Sequence, residues 1–187
     1  MMGVLFKPGG AFPFMKSPAG ELHNAHVPLD LLWGSGAREL RDRLLEAASP
    51  AARFRILEKS LAAQAARPLA HHPAVAFALG EFQGVPQERN IWEVTQHLGL
   101  SPRRFIQLFA SEVGLTPKVY CRLRRFQHTL HLLHRGRIDL AEAALSAGYY
   151  DQSHFIHDFQ EFSGLSPTAY LRRKGGHPNH LPLPDER

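Results

Sequence analysis

The stretch Phe105-Ile106-x-x-Phe109-x-x-x-x-Gly114-Leu115-Thr116-Pro117-x-x-Tyr120 returns as Phe155-Ile156-x-x-Phe159-x-x-x-x-Gly164-Leu165-Ser166-Pro167-x-x-Tyr170, with every pair 50 residues apart. Upstream, Gly99 matches Gly148 at an offset of 49, so one residue is inserted in the intervening turn. Eight matched positions in a fixed order mark a duplicated supersecondary unit. In the first copy Ile91, Val94 and Leu98 form one helical face, Gly99 breaks the helix, and Ser101-Pro102 starts the next. In the second, Leu140, Ala144 and Leu145 precede Gly148, and Asp151 is placed to cap the following helix. A short glycine-containing turn between two helices is the helix-turn-helix pattern, and its duplication raises its specificity.

Helical-wheel arithmetic at about 100° per residue separates the faces of each second helix. Phe105, Leu108, Phe109 and Glu112/Val113 cluster on one side, with Arg103, Gln107 and Ala110 opposite and Arg104 and Ile106 flanking. In the second copy Phe155, Phe159 and Phe162 point inward. Ser153, His157 and Gln160 therefore point outward, with Gln152 at the helix start and Ile156 alongside. Outward Arg, Gln, His and Ser side chains suit base edges and phosphates in a major groove. Ile106 and Ile156 share one flank, where each either meets a thymine methyl or edges the core.

Between the units the pattern predicts a helix from Pro117 to Arg135, with Tyr120, Leu123, Phe126, Leu130 and Leu133 as its buried seam. At 1.5 Å per residue it would span ~28 Å, close to the ~34 Å pitch of B-DNA. A rigid helix of that length could hold two reading heads in successive grooves. From Pro86 to Lys174 there are 12 Lys+Arg against 8 Asp+Glu, hence +4 of the chain's +5. Arg122, Arg124 and Arg125 lie together on the connecting helix, and Arg172, Arg173 and Lys174 follow the second repeat. Such groups suit phosphate contact, which supplies affinity without sequence information.

The run Ala147-Gly148-Tyr149-x-Asp151-Gln152-Ser153-His154-Phe155-x-x-x-Phe159-x-x-x-x-Gly164-Leu165-Ser166-Pro167-x-x-Tyr170 resembles the signature of the AraC-type family of bacterial transcription regulators. The resemblance covers residues 72–173. It implies an all-α fold of two helix-turn-helix units joined by a long connecting helix, with recognition helices in adjacent major grooves of double-stranded DNA. Carried over by position, base contacts fall on Arg103, Ile106, Gln107, Gln152, Ser153, Ile156 and His157. Phosphate contacts are expected from Arg104, Arg122, Arg124, Arg125, His154, Arg172 and Arg173. RNA polymerase is expected as a further partner, and the effector stays unknown; the lone Cys121 and an N-terminus without a signal-peptide pattern point to the cytoplasm.

The rest of the chain divides by texture. Residues 1–36 are dense in turn formers such as Pro8, Gly9, Gly10, Pro13, Pro18 and Pro28, and are expected to be irregular, with one short strand at Val4-Leu5-Phe6 at most. Family members commonly carry a cupin-like sensing barrel, and Gly3–Met15 looks like the last strand of a truncated one. From Ala37 helical spacing begins, and Ser49-Pro50 divides residues 37–68 into a helical hairpin. A third helix is expected from Pro73 to Gln83, ended by Gly84-Val85-Pro86. Residues 174–187 are expected to be a disordered tail.

Apolar residues at 44% and charged residues at 21% fit a globular chain. No apolar stretch approaches the ~18 residues that span a bilayer, so no membrane partner is expected. Cys121 is alone, which excludes an internal disulfide and a multi-cysteine zinc site. No GxSxG, P-loop or post-strand GxGxxG is present, so neither catalytic residues nor a cofactor are expected. Twelve histidines raise the question of metal. His128, His131 and His134 do not converge on one helix face, and His71-His72 and His154/His157 read as lacking carboxylate partners; no metal site is expected. The competing interpretation is a truncated, non-catalytic helical module acting through protein partners.

Overall fold

The computed structural model describes residues 2–82, 91–135 and 139–173. Among these residues there is no strand, and ten α-helices follow one another. They are α1 (Leu29–Trp33), α2 (Ser35–Glu46), α3 (Pro50–Gln64), α4 (Pro73–Glu81), α5 (Ile91–His97), α6 (Pro102–Val113), α7 (Pro117–Arg135), α8 (Leu140–Ser146), α9 (Gln152–Ser163) and α10 (Pro167–Arg173). The expected strand at Val4-Leu5-Phe6 does not form. That run pairs with no second strand, and Leu5 is fully exposed. The irregular segment instead holds 3₁₀ turns at Phe12–Phe14 and Ala19–Leu22, together with α1. α4 ends at Glu81; Gln83, the Gly84-Val85-Pro86 stop and the tail 174–187 lie outside the described residues.

The chain forms two compact units, Met1–Ala76 with Leu100–Thr116, and Phe77–Gly99 with Pro117–Arg187. In the first, Ser49 is extended and its hydroxyl accepts from Ala52 N–H at 3.2 Å, which starts α3 with Pro50 in the first turn. Arg53 Nε donates across the turn to the Leu44 carbonyl at 3.1 Å, tying α3 to α2. Trp33 Nε1 donates to the Phe14 carbonyl at 3.0 Å, and Arg67 donates to the Lys16 carbonyl at 2.6 Å while lying over the Phe12 ring. These bonds give the glycine- and proline-rich segment partners that its own pattern cannot supply. α6 buries Phe105 and Phe109 completely in this unit.

The second unit is built around aromatic rings. Phe126, Leu130 and Leu133 of α7 pack with Ala143 and Ala144 of α8, Phe155 and Phe159 of α9, and Tyr170 of α10. Phe159 lies at the centre, edge-on to Phe126, Phe155 and Tyr170 at 5.1, 5.6 and 5.4 Å between ring centroids. Both repeated second helices end alike. Gly114 and Gly164 adopt φ of +88° and +70°, and their N–H groups bond back to Ala110 and Gln160. A side chain there would be strained, which is the physical reason glycine recurs at both positions.

Candidate nucleic-acid interface

Each second helix is started by a side-chain cap in the preceding turn. Ser101 Oγ accepts from Arg104 N–H at 3.3 Å to open α6, and Asp151 Oδ1 accepts from His154 N–H at 2.7 Å to open α9. Upstream of each, Gly99 and Gly148 take φ of +61° and +82°, the left-handed conformation of a tight interhelical turn.

On α6, Arg103, Arg104 and Gln107 are exposed, and Ile106 keeps 42% of its surface accessible. The outward face stops at Ala110. There the Ala19–Leu22 turn lies against the helix, so closely that a Cβ on Gly20 would stand 3.1 Å from the Ala110 carbonyl oxygen. The exposed outward face of α6 is therefore its first two turns. The inward Glu112 is a buried carboxylate that sequence patterning placed but did not explain. It is held by His71 Nδ1 at 2.8 Å and accepts from His72 N–H, 40 residues away in the chain.

On α9, Gln152, Ser153 and His157 are exposed, matching the outward face expected of them. Ile156 differs from its counterpart: it is half-buried and packs against the aromatic core, so the two isoleucines are equivalent in position but not in surroundings. His154 is half-buried beside the Tyr149 ring at 5.3 Å.

The cations separate into two kinds. Arg104, Arg172 and Arg173 are exposed. Arg124 and Arg125 are half-buried, Arg124 donating to Gln127 Oε1 at 3.5 Å and Arg125 lying over the Tyr149 ring at 5.2 Å. Arg122 departs from its expected role at phosphate. Its Nε and Nη2 donate to Asp158 Oδ1 at 3.2 and 2.7 Å, and its Nη1 donates to Glu161 Oε1 at 3.1 Å. Bonding to Glu161, then Asp158, raises the guanidinium still further above its ordinary value, and the same contact holds the Glu161 carboxyl below the usual range. Arg122 thus meets carboxylates of its own chain.

The sequence reading of His71-His72 and His154/His157 as lacking carboxylate partners is corrected on both counts: His71 meets Glu112, and His154 and His157 stand beside Asp158 and Glu161. Ligand-type atoms of His157, Asp158 and Glu161 lie within 4.8 Å of one another, the one such grouping among the described residues. The cation seated among the two carboxylates is the Arg122 guanidinium. Cys121 is half-buried, and burial pushes its thiol up to about 11, so little nucleophilic thiolate is present near neutrality. No helix among the described residues is long and apolar enough to cross a membrane.

Residues 94–173 match a family described as a helix-turn-helix domain. An uncharacterized HTH-type transcriptional regulator of Haemophilus influenzae is 30% identical over 89 residues, covering 46% of this chain and 30% of that protein. The arabinose operon regulatory protein of Escherichia coli is 30% identical over 81 residues, 43% of this chain and 28% of its own length. The chain thus spans under a third of these curated relatives. Among solved structures, the C-terminal domain of AraT, a response regulator from Geobacillus stearothermophilus, is 25% identical with a TM-score of 0.52, covering 55% of this chain and 87% of that one. The signature, the all-helical fold and these likenesses agree: residues 94–173 match a helix-turn-helix domain and are similar to AraC-type regulators.

Proposed function

We propose that this chain binds double-stranded DNA sequence-specifically and regulates bacterial transcription, with α6 and α9 as recognition helices in successive major grooves. One observation carries the proposal. The second helix of each repeated unit anchors one face through fully buried phenylalanines and exposes an outward set of hydrogen-bonding side chains. Arg103, Ile106 and Gln107 read bases from α6; Gln152, Ser153 and His157 read them from α9. Exposed Arg104, Arg172 and Arg173 supply phosphate contacts. The protein acts in the cytoplasm, performs no catalysis and needs no cofactor for this task.

Selection of bound duplexes from a random library at physiological salt tests the reading. Two short boxes about one helical turn apart, ~10 bp, are the expected result. Arg103→Ala and Gln107→Ala each then cost ~1–3 kcal/mol and relax the preference at one position of one box. Weak, salt-sensitive binding with no enriched motif would overturn the proposal.

A further inference from the structure

Arg122 reaches from α7 to α9 with four N–H···O bonds, two to Asp158 Oδ1 and one to each oxygen of Glu161. A guanidinium has five N–H donors, so a single one is left. Bidentate recognition of a phosphate needs two. The charges agree with the count, since one guanidinium between two carboxylates leaves a net negative group. Asp158 is anchored in the interior, its side chain 2% exposed, and the guanidinium also lies over the Phe162 ring at 5.2 Å. This is a fixed interhelical clamp.

The clamp borders the exposed His157. Its Nδ1 lies 3.9 Å from Asp158 Oδ1 and 3.8 Å from Glu161 Oε2, while the ring is 76% exposed. Lys118, Arg125 and His154 line the same hollow, and the two carboxylates bring oxygens within 4 Å of Nδ1. The clamp therefore stands directly behind an exposed side chain of the outward face of α9.

Resting on the DNA-binding reading above, we propose that Arg122 is a positioning residue. Through Asp158 and Glu161 it holds α9 on α7 and so fixes the placement of His157, which sets the base preference at one position of the second box.

The test uses the full chain, with duplex selection and a salt titration of DNA affinity for wild type, His157→Ala, Glu161→Gln and Arg122→Met. Wild type shows a base preference at one position of the second box, and His157→Ala erases that preference alone. Glu161→Gln, at an exposed site, weakens the same preference and spares the first box. Arg122→Met leaves the slope of log affinity against log salt unchanged, whereas loss of a phosphate contact would lower it by about 0.9. A fallen slope or a His157→Ala motif identical to wild type would overturn the clamp. So would a Glu161→Gln preference identical to wild type, which needs no folded Arg122 variant to observe. Absence of any wild-type motif would refute the DNA-binding reading itself, a result distinguishable from all of these.

Discussion

Replacing Phe159 by alanine tests whether the repeat's second phenylalanine is the keystone of its unit. The ring is fully buried and meets three other aromatic rings within 5.6 Å. Truncating a buried phenylalanine costs ~3–5 kcal/mol, the spread reflecting how far the site collapses. Collapse is hindered here because the neighbours are rigid rings, and each lost edge contact carries ~0.5–1.5 kcal/mol beyond area burial. The expected loss therefore lies in the upper part of the range, about 4–5 kcal/mol, against a total near 5–15 kcal/mol for a domain. Urea unfolding followed by far-UV circular dichroism measures it, with Ile106→Ala as the exposed control expected to cost less than ~1 kcal/mol. A loss below about 1.5 kcal/mol for Phe159→Ala would refute the packing argument, because it would place the ring at a site that refills freely.

Two further outcomes follow from titratable groups. Burial, followed by His131, Arg124 and Arg135, holds the His128 imidazole below its ordinary 6.5. In the window below that value the unfolded chain binds more protons than the folded one, so stability declines as pH falls. His128→Gln should flatten the change in melting temperature between about pH 7.5 and 5.5, and an unchanged slope would remove His128 from the account. With its thiol pushed up to about 11 from 9.0, Cys121 should alkylate roughly a hundredfold more slowly in the native protein than in urea. Equal rates in the two states would show the thiol to be solvated.

What sequence reading captured was periodic. The helical spacing of the α7 seam, the phenylalanines three and four apart, and glycines at helix ends are all local patterns; of the seam, Tyr120, Phe126, Leu130 and Leu133 are buried and Leu123 is half-buried. What it missed depends on residues distant in the chain. Arg122 reads as a phosphate-binding cation among neighbouring arginines until folding brings Asp158, 36 residues on, against it. Glu112 falls on the inward face with no local partner until His71, 41 residues earlier, meets it. α1 and the two 3₁₀ turns escaped for another reason. They are too short for periodicity to register, and side-chain bonds to distant carbonyls, Trp33 to Phe14 and Arg67 to Lys16, hold the segment in place.

Duplication preserved the interior and released the exterior, and this has a consequence for recognition. Phe105 and Phe155, Phe109 and Phe159, and Gly114 and Gly164 repeat because each solves a packing or backbone problem that both copies share. The outward positions share no such constraint. Arg103 and Gln107 stand in one copy where Ser153 and His157 stand in the other, and Ile106 is exposed where Ile156 is half-buried. A long donor pair such as Arg103 and Gln107 favours bidentate contact with guanine or adenine, whereas a hydroxyl and an imidazole make shorter, single contacts. On the DNA-binding reading, the two boxes therefore differ in sequence, and one chain reads an asymmetric site. Exchanging Arg103 and Gln107 for serine and histidine should accordingly transfer the second box's preference to the first, a result that reading through phosphates alone could not produce.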